Sequence, residues 1–414
     1  MLKHELLYVV LQKIEVRGRG ERCLHLMKHA NSSKDGSGKR EKPVNELARK
    51  ADFGGVLGGG IGNGGGCGVL CAAAVLGFAV VDGAVFGNGG EYDDVYKLFP
   101  YWGVRNGDLM EYLNARGFDC HAATVAPAGS AWDRACELYA QLMGTVTDYG
   151  EAHSKKCGHD RFGKDYSKCR LINDWSAEKK VNLFGHSFGG ATVRMLAELM
   201  ANGDEGEKTS SDVSPLFTGG KSSWIYSIVT LSSPHNGTTA YCVSHNAAAA
   251  IVNGFNSAAA IIPKFSDNAL YDMMIDNAMA LNERISTVSD IYYFSYACDG
   301  TYRDEDGNCL PDSKLIASQY TQTAKILCSF TGTTPGGYVI DERWQANDGL
   351  VNTYSALAPI GAPSVQYDSS SVKTGVWNVM EIIKGDHTTL QGAQRENFNG
   401  RLFWVELLSM INSL

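Results

Sequence analysis

From about residue 70 onward, short apolar runs alternate with stretches whose apolar residues recur every three to four positions. The runs Phe78 to Val81, Asp119 to Val125, Val181 to Phe184 and Trp224 to Leu231 predict strands. Gly107 to Arg116, Asp133 to Met143 and Ala191 to Met200 predict helices, the second with Ser130 placed as its N-cap. Strands interleaved with helices predict an α/β fold, with a mostly parallel central sheet and helices on both faces. The first 66 residues break this rhythm. Met1 to Val16 has some helical period, Ala30 to Lys50 is basic and polar, and Gly54 to Gly68 is glycine-rich. Such a composition buries too little apolar surface to offset chain entropy. Residues 1–66 are expected to form a disordered or poorly defined leader, and residues 67–414 one domain.

At 414 residues, with 44% hydrophobic and 20% charged content, the chain is ordinary globular material able to bury a large core. A net charge of −8 argues against a nucleic-acid surface. The 11 cysteines are scattered, without paired Cys-x-x-Cys units, which argues against a zinc ribbon. Cys298 and Cys309 flank the acidic stretch Asp299 to Asn308, and either close a small disulfide loop or stay reduced. The apolar stretch Cys67 to Val81 is too short for a membrane span. It is either a displaced signal or anchor segment or, the favoured reading, in its second half the first buried strand. The compartment stays open, with a secreted or membrane-associated setting favoured over a cytoplasmic one.

The candidate chemistry lies in Val181-Asn-Leu-Phe-Gly185-His-Ser187-Phe-Gly189-Gly190. An apolar strand runs into Gly-x-Ser-x-Gly and a helix follows, which is the context of a nucleophile elbow. The serine hydroxyl needs a histidine to take its proton and a carboxylate to fix that histidine's tautomer. In α/β-hydrolases the chain order is serine, acid, histidine. Three histidines follow Ser187: His235, His245 and His387. His387 ends a short apolar run near the C-terminus and is the expected base, whereas His235 sits in a Ser-Pro-His-Asn-Gly turn and is expected to shape it. Asp348, in Asn347-Asp348-Gly349, is the expected acid, with Asp341 and Asp386 as competitors. One oxyanion-hole N–H is expected from Phe188, the other from the Gly83 to Gly90 segment, at Val85 or Phe86.

Several further stretches share a pattern. They are Pro100-Tyr101-Trp102-Gly103, Ser130-Ala-Trp-Asp133-Arg134, Asp148-Tyr149-Gly150-Glu-Ala-His153, Gly158-His159-Asp-Arg161-Phe162-Gly163, Ser214-Pro-Leu-Phe217, Ser233-Pro234-His235-Asn-Gly237, Asn347-Asp348-Gly349-Leu-Val351-Asn352 and Gly375-Val376-Trp377-Asn378. With the elbow, this set resembles the thermoalkaliphilic bacterial and staphylococcal lipase family and its plant lipase-like relatives, from about Leu98 to the C-terminus. The resemblance implies an α/β-hydrolase fold with a small zinc-site insert, and a triad of Ser187, Asp348 and His387. It also implies a structural zinc held by Asp133, His153 and His159. The family's fourth zinc ligand lies in an Asp-Gln-Trp-Gly stretch absent here, which leaves three alternatives: Asp267 substitutes, His245 substitutes, or the zinc is absent. The family's calcium carboxylates are replaced by Thr389, Gln394 and Arg395, so calcium is not expected.

The expected activity is hydrolysis of carboxylic esters, foremost acylglycerols, through an acyl-enzyme, with transient contact to a lipid surface. The Ala-rich stretch Asn246 to Ile262 is either a lid or a core helix. The rivals are a short-chain esterase or phospholipase, and a lipase-like protein that binds lipid without turning it over.

Overall fold

The computed structural model describes residues 101–103, 106–126, 129–241 and 266–414. The chain divides into Met1–Gly62 and Asn63–Leu414, and the described residues all belong to the second unit. The expected strand Phe78 to Val81, the Gly83 to Gly90 segment with Val85, and the stretch Asn246 to Ile262 lie outside the described residues.

In chain order run α1 (Leu109–Asn114), α2 (Ala131–Met143), β1 (Val146–Asp148), α3 (Glu151–Cys157), β2 (Phe162–Asp165), β3 (Val181–His186), α4 (Gly189–Asn202), β4 (Ile225–Leu231), α5 (Ile275–Arg284), β5 (Tyr292–Tyr296), α6 (Thr321–Ser329), β6 (Ser364–Gln366), β7 (Trp377–Val379) and α7 (Gly400–Asn412), with short turns and hairpins between. The central sheet has the order β6-β7-β5-β4-β3. Every neighbouring pair in it is parallel, with Phe184 opposite Val229 and Val229 opposite Phe294.

Side chains alternate across a strand, and here they feed two separate cores. Leu183, Ile228 and Tyr293 join one face with α2 and α4, while Phe184, Val229 and Phe294 join the other with α1 and α7. The strands are therefore apolar on both sides, as parallel strands between helical layers must be. Phe184 is fully buried, and truncating it to alanine is expected to cost about 3–5 kcal/mol.

The expected helix Asp133 to Met143 runs from Ala131, and the Ser130 side chain caps it by accepting from the Asp133 N–H. One expectation fails. Asp119 to Val125 forms no regular strand among the described residues, only a single bridge position at Ala122. Side chains meet the backbone of Cys120 and Thr124, and of Ala126 just after it. Asn114 brackets Cys120, Gln141 both donates to and accepts from Thr124, and Glu137 accepts from the Ala126 N–H. The apolar run is buried as expected, and helix side chains meet part of its backbone.

The cysteine alternative is also decided. Cys298 and Cys309 form no disulfide. The thiol of Cys309 instead donates to the Gln345 carbonyl at 3.4 Å.

Candidate active site and metal cluster

Ser187 follows the last residue of β3 and has φ 55. A non-glycine residue in this left-handed region costs about 1–3 kcal/mol, and it persists only where the surroundings enforce it. They do so here. The Ser187 N–H donates to the Leu231 carbonyl at 2.9 Å, and its carbonyl accepts from Gly190 at 3.1 Å. A Cβ at Gly185 would meet the backbone of Gly189 and Gly190, and one at Gly190 would meet the Ser233 side chain. The tight turn therefore needs glycine at 185 and 190. The N–H of Phe188 makes no hydrogen bond among the described residues.

His387 and Asp348 meet with both side chains 2% exposed. The His387 Nδ1 lies 2.8 Å from Asp348 Oδ2, and the His387 N–H donates to the Asp348 carbonyl at 2.8 Å. A carboxylate accepts, so Nδ1 carries the hydrogen and Nε2 keeps its lone pair. That Nε2 is buried without a hydrogen-bond partner among the described residues. Asp348 Oδ1 is occupied separately, accepting from the N–H groups of Leu350 and Val351 at 3.0 and 2.8 Å. The aspartate is thus fixed by its own turn before it touches the histidine.

The competitors are placed elsewhere. Asp386 is buried but accepts from Ala317 N–H, Thr388 and the Arg395 guanidinium. Asp341 pairs with Arg343. His235 lies between Thr230 Oγ1 at 3.0 Å and Arg194 at 3.3 Å, and burial, aided by that cation, pushes its pKa well below the usual value. It packs a turn, as expected.

A second polar centre gathers Asp133, His153, His159 and Asp267. One ligand-type atom from each lies within 4.8 Å of the others, a group able to hold a metal ion. His153 Nε2 is 3.0 Å from Asp133 Oδ1 and 3.6 Å from Asp267 Oδ1. His159 Nε2 is 3.8 Å from Asp133 Oδ1 and 3.4 Å from Asp267 Oδ2. It is buried and makes no aligned hydrogen bond, while its Nδ1 is 2.8 Å from the Asp160 carbonyl. That contact puts the hydrogen on Nδ1 and leaves the Nε2 lone pair aimed into the cluster. Burial alone would lower the His153 pKa, but hydrogen bonds to the two aspartates outweigh it and hold it at about 9.

The cluster's framework is the β1–β2 hairpin with α3 between its strands, docked on α2. His153 stacks on Trp132 at 5.0 Å, and the Trp132 indole donates to the Tyr149 carbonyl at 2.8 Å. Glu207 accepts from the N–H groups of Ala152 and His153 and so fixes the start of α3. Asp267 supplies the ligand atom that no matched motif identified, and His245 lies outside the described residues.

A parallel sheet between two helical layers, with a serine in a left-handed turn at a strand end, defines the α/β-hydrolase class. Within that class the chain belongs to the family described as lipase-like, C-terminal domain, whose model matches residues 83–259 and 256–402. Lipase 2 of Staphylococcus aureus is 32% identical over 350 residues, covering 74% of this chain and 49% of that protein. A Staphylococcus epidermidis lipase is 30% identical over 337 residues, covering 71% and 47%. The chain thus spans about half the length of the curated relatives it matches. EstA from Clostridium botulinum superposes with a TM-score of 0.70 at 31% identity, covering 80% of this chain and 86% of that one. Staphylococcus hyicus lipase gives 0.68 at 27%, covering 80% and 95%. No helix of the described residues is long and apolar enough to cross a membrane.

Proposed function

We propose that the chain is a serine carboxylic ester hydrolase, a lipase acting on acylglycerols. The observation that carries this reading is the buried Asp348–His387 pair, with Ser187 held at φ 55 in the elbow. Ser187 Oγ attacks the ester carbonyl while its proton passes to His387 Nε2. Asp348 stabilises the imidazolium that forms and keeps Nδ1 as the protonated nitrogen. The tetrahedral oxyanion is met by the N–H groups of Phe188 and Val85. Collapse expels the alcohol, which takes the proton from His387. Water then attacks the acyl-enzyme with His387 again as base, releasing the fatty acid and restoring Ser187.

The metal is proposed to be zinc, held by Asp133, His153, His159 and Asp267 as a structural ion. Two imidazoles and two carboxylates are a borderline-hard donor set, and a tetrahedron of ~2.0 Å bonds places ligand atoms roughly 3.3 Å apart. The four ion-pair distances, 3.0 to 3.8 Å, bracket that spacing. A bound zinc supplies charge neutralisation and a cross-link between α2, α3 and the Asp267 turn. Independence from calcium is proposed as well, since the Arg395 guanidinium sets a fixed cation against Asp386 beside His387. Secretion or membrane association is the proposed setting, with a lipid surface as the transient partner.

The test is hydrolysis of acyl esters of graded chain length by the full chain, with covalent labelling of Ser187 by a fluorophosphonate. Labelling with preference for long acyl chains supports a lipase, and folded protein that neither labels nor hydrolyses any ester ends the proposal. Residues 1–66 are proposed to be dispensable. Deletion through residue 66 is expected to leave specific activity near that of the full chain, while deletion through residue 90 removes Val85 and abolishes it. Loss of activity already at the shorter deletion refutes the boundary.

A further inference from the structure

We propose that His186, with Tyr101, is a positioning residue for His387, tying the histidine loop to the nucleophile turn through the His387 carbonyl. The inference rests on the proposed roles of Ser187, Asp348 and His387. His186 is the last residue of β3, immediately before Ser187, and is fully buried. Its Nε2 lies 2.7 Å from the His387 carbonyl oxygen, and its Nδ1 2.6 Å from the Tyr101 hydroxyl. The two imidazole rings are 4.7 Å apart.

These contacts admit one arrangement of hydrogens. A carbonyl only accepts, so His186 Nε2 carries a hydrogen. Burial, then the proximity of His387, depress the His186 pKa well below its usual value, so the ring is neutral. Nδ1 is then the bare nitrogen, and the Tyr101 hydroxyl donates to it. Tyr101 thereby fixes the tautomer of His186, as Asp348 fixes that of His387.

The consequence is a His387 peptide held at both its polar groups. Its N–H donates to the Asp348 carbonyl at 2.8 Å, and its carbonyl accepts from His186. The acid turn grips the histidine through the N–H, and the nucleophile strand grips it through the carbonyl. The neutral state of His186 also serves the chemistry. His387 becomes a cation during acyl transfer, and a second imidazolium 4.7 Å away would oppose it. A hydrophobic residue at 186 would avoid that repulsion but leave a buried carbonyl without a donor.

The test uses the full chain, a short-chain p-nitrophenyl ester, and the variants His186→Phe, His186→Asn, His186→Gln and Tyr101→Phe. The amide nitrogen of glutamine reaches the place of Nε2, whereas that of asparagine stands near Nδ1 and falls short of the carbonyl. His186→Phe and His186→Asn are expected to lower kcat by about 30-fold with KM within about threefold, because small misplacement of a reacting group is costly. His186→Gln is expected to recover to within about fivefold of wild type, and Tyr101→Phe to lose about three- to tenfold.

Full kcat in folded His186→Phe or Tyr101→Phe overturns the proposal. So does equal loss in the glutamine and asparagine variants, which marks a packing role, or a rise in KM at unchanged kcat. If His186→Phe fails to fold, Tyr101→Phe and the glutamine–asparagine contrast still decide. Ser187→Ala separates the two readings. If it is inert while His186→Phe is fully active, this inference alone fails, and if it keeps activity the triad fails with it.

Discussion

The Asp348 and His387 side chains are each 2% exposed, whereas the four side chains of the metal cluster range from 8% to 24%. The first pair stands on loops at the ends of the central sheet and is fixed by backbone bonds on both sides. The second group stands on α2, on the short helix α3 and the loop after it, and on the Asp267 turn, and it brings two carboxylates together with two imidazoles. Among the described residues, the one polar atom of the Asp348–His387 pair left without a hydrogen-bond partner is His387 Nε2. The metal cluster leaves its charges and a bare His159 nitrogen facing one another, an arrangement that an added cation resolves. The helix α2 touches both. Asp133 turns to the cluster, while the guanidinium of the fully buried Arg134 lies 5.0 Å over the Phe188 ring. Damage to the sheet-end centre should therefore appear in rate, and damage to the insert in stability.

The largest expected effect breaks the first centre. Ser187→Ala and His387→Ala should each lower kcat/KM by roughly 10⁴-fold or more, since nucleophile and base act as a unit. Asp348→Asn should lower it by about 10⁴-fold, because the amide turns the histidine to the wrong tautomer. Its remaining Oδ1 still accepts from Leu350 and Val351, so the turn and the melting temperature should survive. Ester kinetics and thermal melts check both halves. Full activity in Asp348→Asn with loss in Asp386→Asn would show that the acid has been misassigned.

How far these centres were legible in sequence follows from the same contrast. Gly-x-Ser-x-Gly between an apolar strand and a helix is a local signal, because the strained turn is made by neighbouring residues. Asp348 and His387 were accessible because chain order in a parallel sheet limits which strand ends can meet. Asp267 was left as one of three options because its place is set by distant contacts. Asn268 caps the short helix Ala269–Asp272, and Asp272 accepts from the Ala131 N–H at 2.8 Å, which ties that turn to the start of α2 beside Asp133. An Asp-Asn pair before a helical turn was the available signal, and it is too common to decide alone. Asp119 to Val125 misled for the opposite reason. Its buried apolar residues were visible, but the side chains of Asn114 and Gln141 that bond its backbone were not.

A smaller effect is expected at the second centre. Chelation of purified protein should remove about one zinc and lower the melting temperature by ~5 °C or more, as loss of a ligand bound only to the native state requires. Ester hydrolysis at 25 °C should fall less than tenfold, because none of the four cluster residues belongs to the proposed triad. His153→Ala, His159→Ala and Asp267→Ala should each lose the metal by elemental analysis, with similar melting shifts. Calcium should leave the melting temperature unchanged. Well-folded protein without metal, and with these variants melting like wild type, removes the distinction between the two centres.

The smallest effect concerns pH and the helix that joins the centres. Glu137, one turn along α2 from Asp133, is buried and accepts from the Ala126 N–H and the Tyr149 hydroxyl at 2.6 and 2.9 Å. Burial raises its pKa from 4.5 to about 7, with a smaller push from Asp133, against those two hydrogen bonds. Because the folded value lies above the unfolded one, Glu137 contributes most to stability below about pH 4.5. That contribution is lost as pH rises through about 7. Glu137→Gln cannot ionise, and its amide oxygen can still accept from the Ala126 N–H while its NH2 donates to the Tyr149 hydroxyl, which turns from donor to acceptor. Relative to wild type, it should therefore melt higher at pH 8 than at pH 5, by a few degrees. Metal at the cluster draws off the Asp133 charge, so chelation should widen the difference while leaving the kcat of both proteins nearly unchanged. A gap between variant and wild type that stays constant from pH 5 to 8 would show that Glu137 does not titrate in this range, and that α2 transmits no charge from the metal cluster to the fold.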